Sequence, residues 1–385
     1  MANNNNNKTL NVPNKRFPEF IGEWKKCKLG DVANLTKGIG ISKDQRSPKG
    51  NPCILYGELY TTYKSEMITD IVSKTNIDSA NLVKSRYNDV IIPASGETAI
   101  DISTARCVQY NDVLLGGDLN IIRLNDGNDG SFFSYQLNGV RKRDIAKVAQ
   151  GVSVVHLYGE NLKAIKVNSP ELAEQNKISS LLCLIDQRIS TQNKIIDKLQ
   201  SLIKGIYSFV FKNNTYKECF LLGDIANLYQ PQTIASTELN ENGKYIVYGA
   251  NGIIGRYDYY NHERPQIIIT CRGNTCGTVN FTSDHCWITG NSMVINMEQF
   301  VSTVYQKYLL HYLNSLDYSS VISGSGQPQI VRESLKKVKV YLPSLLEQTE
   351  VANSIDKVLA KFSLEQRLLD GLVTQKRYLL QQMFI

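Results

Sequence analysis

The 385-residue chain is 42% apolar and 21% charged, the composition of an ordinary soluble globular protein. At about 100–200 residues per domain, this length predicts two or three domains, each able to bury a core. A net charge of +7 favours a polyanionic partner only mildly, and no apolar run approaches the roughly 18 residues of a membrane span.

The opening MANNNNNKTL has no apolar period and lacks the charged start, apolar middle and small-residue end of a signal peptide. Residues 1–23 are therefore expected to form a partly disordered tail. Eight cysteines without a secretory signal predict reduced thiols and a cytoplasmic protein. From Trp24 to about Asn168, short apolar runs alternate with turn residues. PCILYGELY, DVIIPAS and DLNIIRL read as strands, and FFSYQLNGVRKRDIAKVA (Phe132 to Ala149) reads as a helix. The period then changes. Ile178, Leu182, Ile185, Ile189, Gln192, Ile196, Leu199, Ile203 and Ile206 are spaced by alternating steps of four and three, the stripe of a coiled coil sustained for about four heptads.

A second strand-rich region follows, with KYIVYG, GIIGRYDYY, PQIIITCRG, TCGTVNFT and NSMVINM as strands and VSTVYQKYLLHYLNS as a helix. A second stripe closes the chain: Val351, Ile355, Val358, Phe362, Glu365, Leu369, Leu372, Lys376 and Leu379. Each stripe begins shortly after a proline, Pro170 or Pro343, a helix-start signal. The expected organisation is a globule over 24–169, a long helix over 170–212, a second globule over 213–342 and a second long helix over 343–385.

The two halves repeat. LGDVANL (Leu29 to Leu35) returns as LGDIANL (Leu222 to Leu228), 193 positions on. GVSVVHLYGENLKAIKVNSP (Gly151 to Pro170) aligns without gaps on GSGQPQIVRESLKKVKVYLP (Gly324 to Pro343) at an offset of 173, which continues through PELAEQNKI and PSLLEQTEV to Phe211 and Phe384. The ends of the unit are thus duplicated, and the middle of the first copy is 20 residues longer. A period this long predicts two domain-sized copies rather than a solenoid. At this offset Gln192 meets Glu365, and both interrupt an apolar seam. A polar seam residue costs stability and fixes register. If the helices pair antiparallel about a pseudo-twofold axis, the two midpoints meet and Gln192 donates to Glu365; the alternative is a shifted register with both facing solvent. Helices of about 40 residues span about 60 Å, a rigid spacer with a globule at each end.

Two variable globules, each followed by an EQ-led long helix, resemble the specificity (S) subunit of type I restriction–modification enzymes. The repeated residues carry the resemblance, as do YGANGIIGRYDYY, IIITCRGNTCGTVNF and SGSGQPQI in the second unit and VIIPASGE and VAQGVSVVHL in the first. It implies a mixed α/β (α+β) fold with two target-recognition domains separated by antiparallel coiled-coil helices. It further implies a chain without catalysis of its own, each domain reading one half of a bipartite, asymmetric site on double-stranded DNA. The helices would set the gap and dock two modification (M) subunits, which carry S-adenosylmethionine and methylate adenine. Restriction (R) subunits would add ATP- and Mg2+-dependent translocation and cleavage. The constant parts are then written twice because each meets an identical partner, and the middles differ because each reads a different half-site.

Base readout needs donors and acceptors at base edges, with further contacts to phosphate. In the second unit Tyr248, Asn251 and Arg272 stand beside glycines at strand ends, Gln327 and Gln329 lie in a Gly/Ser loop, and Asn274 and Asn291 are further candidates. In the first unit the candidates are Tyr56, Glu58, Tyr60 and Tyr63 in YGELYTTY, Ser95 and Glu97 after a strand, and Gln150, Ser153 and His156 in the place of Gln327 and its neighbours. Glu58 or Glu97 would accept from cytosine N4. Lys43, Arg46 and Lys49 suit phosphate or a solvated loop. The competing reading of the glycines is hairpin formation, and of the polar residues turn capping.

No Asn-Pro-Pro-aromatic motif, Walker A loop or strand–G-x-G-x-x-G–helix occurs, so methyl transfer and nucleotide chemistry are not expected here. Cys271, Cys276, His285 and Cys286 sit at a spacing loose for zinc, and adjacent His-Cys cannot easily share one tetrahedral ion. Thiols packed in a core are expected instead. Two other readings stay open: an S-like subunit serving a partner with fused restriction and methylation activities, and a coiled-coil scaffold without DNA specificity.

Overall fold

The computed structural model describes residues 10–212, 217–250, 252–324 and 326–385. They form two compact units, one drawn from the described residues within 10–193 and 367–385 and the other from those within 194–366. The long helices Leu172–Lys212 (41 residues) and Leu345–Gln382 (38 residues) each contribute one half to each unit. The compact division therefore runs through the helices rather than between globule and helix.

In unit 1 a five-stranded sheet has the order Ala33–Lys37, Leu119–Leu124, Val90–Pro93, Arg106–Val108, Met67–Ile68. Its pairs are antiparallel except the last, where Met67–Ile68 runs parallel to Arg106–Val108. A three-stranded sheet joins Ser73–Thr75, Arg46–Ile54 and Leu114–Leu115. The strand expected through PCILYGELY stops at Ile54, and Glu58–Thr61 forms a helical turn. The reason is Glu58, whose carboxylate turns inward and accepts from the Leu55 amide at 3.0 Å. The helix expected over Phe132 to Ala149 is two helices, Gly130–Asn138 and Lys142–Lys147. Asn138 ends the first because its side chain binds both the amide and the carbonyl of Ala105 instead of facing solvent, and Gly139 follows as the cap.

Unit 2 has a four-stranded antiparallel sheet in the order Asn227–Tyr229, Ser292–Asn296, Ile267–Thr270, Val279–Phe281. A second sheet of three strands orders Gly252–Tyr257, Tyr245–Gly249 and Cys286–Ile288. The internal helix is Gln306–Asn314, nine residues long like its counterpart Gly130–Asn138.

The duplicated residues build one frame twice. Lys25–Lys28 pairs antiparallel with Lys166–Ser169, and Glu218–Leu221 with Lys339–Leu342. The LGD turn then closes each unit: Leu29 donates its amide to Ile165 and Leu222 to Val338, both at 2.8 Å. Both leucines are fully buried. The glycine allows close approach: a Cβ on Gly30 would lie 3.0 Å from the Cβ of Lys163, and one on Gly223 3.0 Å from the Cβ of Lys336, so a larger residue at either position would displace the lysine.

The glutamine of each EQ pair is buried and locks helix to globule. Gln175 accepts from the Asp129 amide (2.9 Å) and donates to the Pro170 carbonyl (2.8 Å). Gln348 accepts from the Tyr305 amide (2.8 Å) and donates to the carbonyls of Pro343 (2.9 Å) and Thr303 (3.0 Å). Asp129 and Tyr305 each precede the internal helix, so one side chain fixes the starts of two helices.

The helix halves pack within each unit. In unit 1 Ile178 and Leu182 share a core with Phe132, Met383 and Phe384. Asn168 reaches Ile385 and Asp186 reaches Lys376, so the two helix segments there run antiparallel. In unit 2 Phe211 takes the place of Phe384, edge-on to Tyr308 and Tyr312. Gln192 and Glu365 are both buried, 5% and 7% exposed, and Glu365 is ion-paired with Lys361 one turn away.

Candidate nucleic-acid interface

In unit 2 the buried strand Ile267–Thr270 delivers Cys271, Arg272 and Gly273 to its end. Three backbone bonds hold them. Cys271 donates to the Asn291 carbonyl (3.0 Å), Ile330 to Cys271 (3.0 Å), and Gly273 to Pro328 (3.0 Å). Beside them Ser323 and Gln329 exchange both backbone bonds, at 2.9 and 2.8 Å, so the chain turns back between them, with Gly324, Gln327 and Pro328 in the turn. Gly324 has φ +89°, and a Cβ there would lie 2.6 Å from the Gln327 carbonyl, so this turn requires glycine. Arg272, Asn274, Asn291, Gln327 and Gln329 are thereby gathered on one exposed face.

Unit 1 builds the same face with other side chains. Ala94 donates to the Asp118 carbonyl (2.7 Å), Leu157 to Ala94 (2.8 Å), and Gln150 and His156 exchange 2.9 and 2.7 Å bonds. Gly151, φ +121°, makes the turn, where a Cβ would collide with the Val154 carbonyl. Each bond has its counterpart in unit 2. Ser95 therefore corresponds to Arg272, Glu97 to Asn274, Asp118 to Asn291, Val154 to Gln327, and His156 to Gln329. Glu97, Asp118, Gln150, Ser153, Val154 and His156 are exposed, whereas Ser95 lies buried under the hairpin strand.

Lys43, Arg46 and Lys49 are exposed. A cavity of about 1160 Å³ is lined by Lys43, Arg46, Tyr56, Tyr60 and Asp118, among others. Tyr56 is exposed, and the half-buried Tyr60 hydroxyl lies 3.4 Å from where a Cβ on Gly96 would sit. Burial, with Tyr56, Glu97 and Asp101 nearby, raises its pKa.

Four expected readers are corrected, the first being Ser95, buried beneath the hairpin strand with no base edge in reach. Glu58 is buried, with one oxygen on the Leu55 amide and the other on the Ser73 hydroxyl and 3.9 Å from Arg46. A carboxylate so occupied shapes the loop and does not present itself to a base edge. Tyr63 packs in the core with its hydroxyl 3.5 Å from the Val72 amide, and burial pushes its pKa up to about 12. Tyr248 is buried too, accepting from the Ser283 amide at 3.0 Å. Asn251 lies outside the described residues.

The sequence reading missed Asp118 and the two apolar residues of the first hairpin tip, Val152 (97% exposed) and Val154 (53%). Asp118 carried a signal: it stands 173 positions before Asn291, a residue that was named. Cys271 is buried, accepting from Gln230 Nε2 at 3.0 Å and donating to the Asn291 carbonyl at 3.1 Å. Among the described residues no group of three or more His, Cys, Asp or Glu is placed to hold a metal, and no helix is long and apolar enough to cross a membrane.

The model of the type I restriction modification DNA specificity domain matches twice, over residues 21–201 and 215–373. The MjaVIII specificity subunit of Methanocaldococcus jannaschii is 22% identical, with 89% of this chain and 87% of that protein aligned. A putative type I specificity subunit of Mycoplasma genitalium is 21% identical over 94% of both. The EcoprrI specificity subunit of Escherichia coli is 24% identical, over 35% of this chain and only 34% of its own length. In structure, the chain is similar to the crystal structure of a type I S subunit from M. genitalium, with a TM-score of 0.70, 18% identity and coverage of 97% and 99%. Repeated frame, paired long helices and two matched domains converge on one assignment: this chain belongs to the type I restriction modification DNA specificity family.

Proposed function

We propose that the chain is the sequence-reading subunit of a type I restriction–modification complex, each unit reading one half of a bipartite, asymmetric DNA site. The observation that carries this is the face built twice on the same backbone bonds with different exposed side chains. A frame held constant while its surface residues change suits two docking events of one kind on two different sequences. Glu97, Gln150, Ser153, His156, Arg272, Asn274, Asn291, Gln327 and Gln329 are the proposed contacts, with Tyr56 and Tyr60 at the rim. Phosphate contacts fall to Lys43, Arg46 and Lys49.

In this reading the chain works in the cytoplasm and performs no chemistry itself. S-adenosylmethionine, ATP and Mg2+ are bound by partners: two modification subunits docked on the long helices, and restriction subunits. Gln192 and Glu365, buried in their stripes, fix the register of the helices and hence the unread gap. A partner with both activities fused would use the same surfaces.

The test is single-base mapping of adenine methylation in the host genome with the gene present and deleted. Loss of one bipartite motif with a fixed gap is the expected result. An unchanged map, with the gene expressed, would sink the proposal and favour a scaffold.

A further inference from the structure

The equivalence of the two faces pairs Asn291 with Asp118, a residue that sequence motifs do not mark. This inference rests on the proposal that both faces read DNA. Asp118 and Asn291 each offer a backbone carbonyl to the residue at the end of the neighbouring central strand, Ala94 at 2.7 Å and Cys271 at 3.0 Å. Each stands directly before a paired strand, with Leu119 opposite Pro93 and Ser292 opposite Thr270. Both side chains are exposed, so neither is needed to fill a core.

We propose that Asp118 and Asn291 are equivalent specificity-determining positions, Asp118 accepting from the amino group of a cytosine and Asn291 pairing with an adenine. Two arguments separate them. A carboxylate only accepts, and beside phosphate it is repelled, so at a DNA face it is favourable where a base donor meets it. Cytosine presents its N4 amino group without an adjoining acceptor, whereas the amino group of adenine stands beside the acceptor N7. An amide carries both a donor and an acceptor and matches that N6/N7 pair.

Most neighbours share this division, Gln150 of unit 1 being an exception. In unit 1 the face holds a second carboxylate, Glu97, and the apolar tip of Val152 and Val154, which suits a thymine methyl group. In unit 2 the corresponding face holds Asn274, Gln327, Gln329 and Arg272, an adenine- and guanine-reading set.

Asp118 has φ +56°, a conformation that Asn adopts as readily as Asp, so Asp118→Asn changes the hydrogen-bonding edge without straining the turn. The experiment is a methylation map made with the full complex from the chain's own locus, carrying wild type, Asp118→Asn or Asn291→Asp. Asp118→Asn is expected to change the preferred base at one position of one half-site by roughly tenfold or more, leaving the other half-site and the gap as they were. Asn291→Asp is expected to do the same in the other half-site. Unchanged motifs in both variants, or an equal fall at all sites, would overturn the assignment. If one variant does not assemble, the other, in a separate unit, carries the test alone. A wild-type complex without any bipartite motif would overturn the DNA-reading proposal itself, a result distinct from an unresponsive Asp118.

Discussion

Lys376 sits in unit 1 between two carboxylates, 2.6 Å from Asp186 and in contact with Glu66, with all three side chains largely buried. Tyr135 donates to Asp186 at 2.7 Å and Ser65 at 3.1 Å. Burial opposes the Lys376 charge, but Glu66 and Asp186 outweigh it and its pKa lies above the ordinary lysine value. Burial likewise opposes the Glu66 charge, and Lys376 more than offsets it, holding that carboxyl below its usual range. Replacing Lys376 by Met strands two buried carboxylates, so we expect unit 1 to lose about 3–5 kcal/mol of stability, measured by denaturant melts. The pH dependence has a fixed sign. A lysine whose folded pKa is raised contributes its full stabilisation below the unfolded value of about 10.4 and loses it as pH rises through the folded pKa. Wild type should therefore shed stability in strongly alkaline solution by a step that Lys376→Met lacks; identical alkaline profiles would refute the role. Unit 2 solves the same problem differently. His311 Nε2 is 2.8 Å from Asp356, Lys307 is 2.6 Å from the same carboxylate, and Tyr207 is 3.1 Å from His311 Nδ1. Burial lowers the His311 pKa, so the neutral ring donates from Nε2 to Asp356 and accepts from Tyr207 at Nδ1.

At the scale of elements, what the sequence disclosed and what it concealed follow the kind of interaction. The duplication of the unit's ends and the two long helices were legible because each rests on local pattern and the pattern is written twice, whereas the short frame strands and the LGD turn that those ends form were not read from it. The buried polar cluster was not, since Glu66, Asp186 and Lys376 are far apart in sequence and each alone passes for a solvated charge. One trace of it was present: Lys376 occupies a seam position in a stripe whose other members, Glu365 apart, are apolar. Glu58 misled for the converse reason, because a carboxylate beside tyrosines reads as exposed until the loop that wraps it is known. The seam supplies the prediction proper to this scale. Gln192 and Glu365 are buried where leucine would fit the stripe, and a polar seam residue exchanges stability for register. Gln192→Leu combined with Glu365→Leu is expected to raise the melting temperature while letting sites with a neighbouring gap length become methylated. A lower melting temperature with an unchanged gap would count against the register role.

For the whole molecule the governing quantity is charge. A protein that neutralises many phosphates releases as many counterions and binds tightly at low salt, and this chain has a net charge of only +7 spread over 385 residues. Its proposed faces are also not uniformly basic: unit 1 presents an exposed Glu97, and Asp118 in one cavity with Lys43 and Arg46. Such faces discriminate between base edges better than they hold the backbone. The affinity must then come from elsewhere, and the modification subunits proposed to dock on the helices are positioned by that proposal to supply it by closing around the duplex. The isolated chain is accordingly expected to bind its own site in the range of non-specific binding, dissociation constants of about 10⁻⁴–10⁻⁶ M at physiological salt. Addition of the partner methyltransferase should tighten this toward about 10⁻⁸ M or better and steepen the salt dependence as more phosphates are neutralised. Fluorescence anisotropy on a labelled duplex carrying the mapped motif measures both. Equal dissociation constants with and without the partner, at one salt concentration, would mean that these two faces grip DNA unaided, and that the carboxylates in unit 1 are compensated by phosphate contacts beyond Lys43, Arg46 and Lys49.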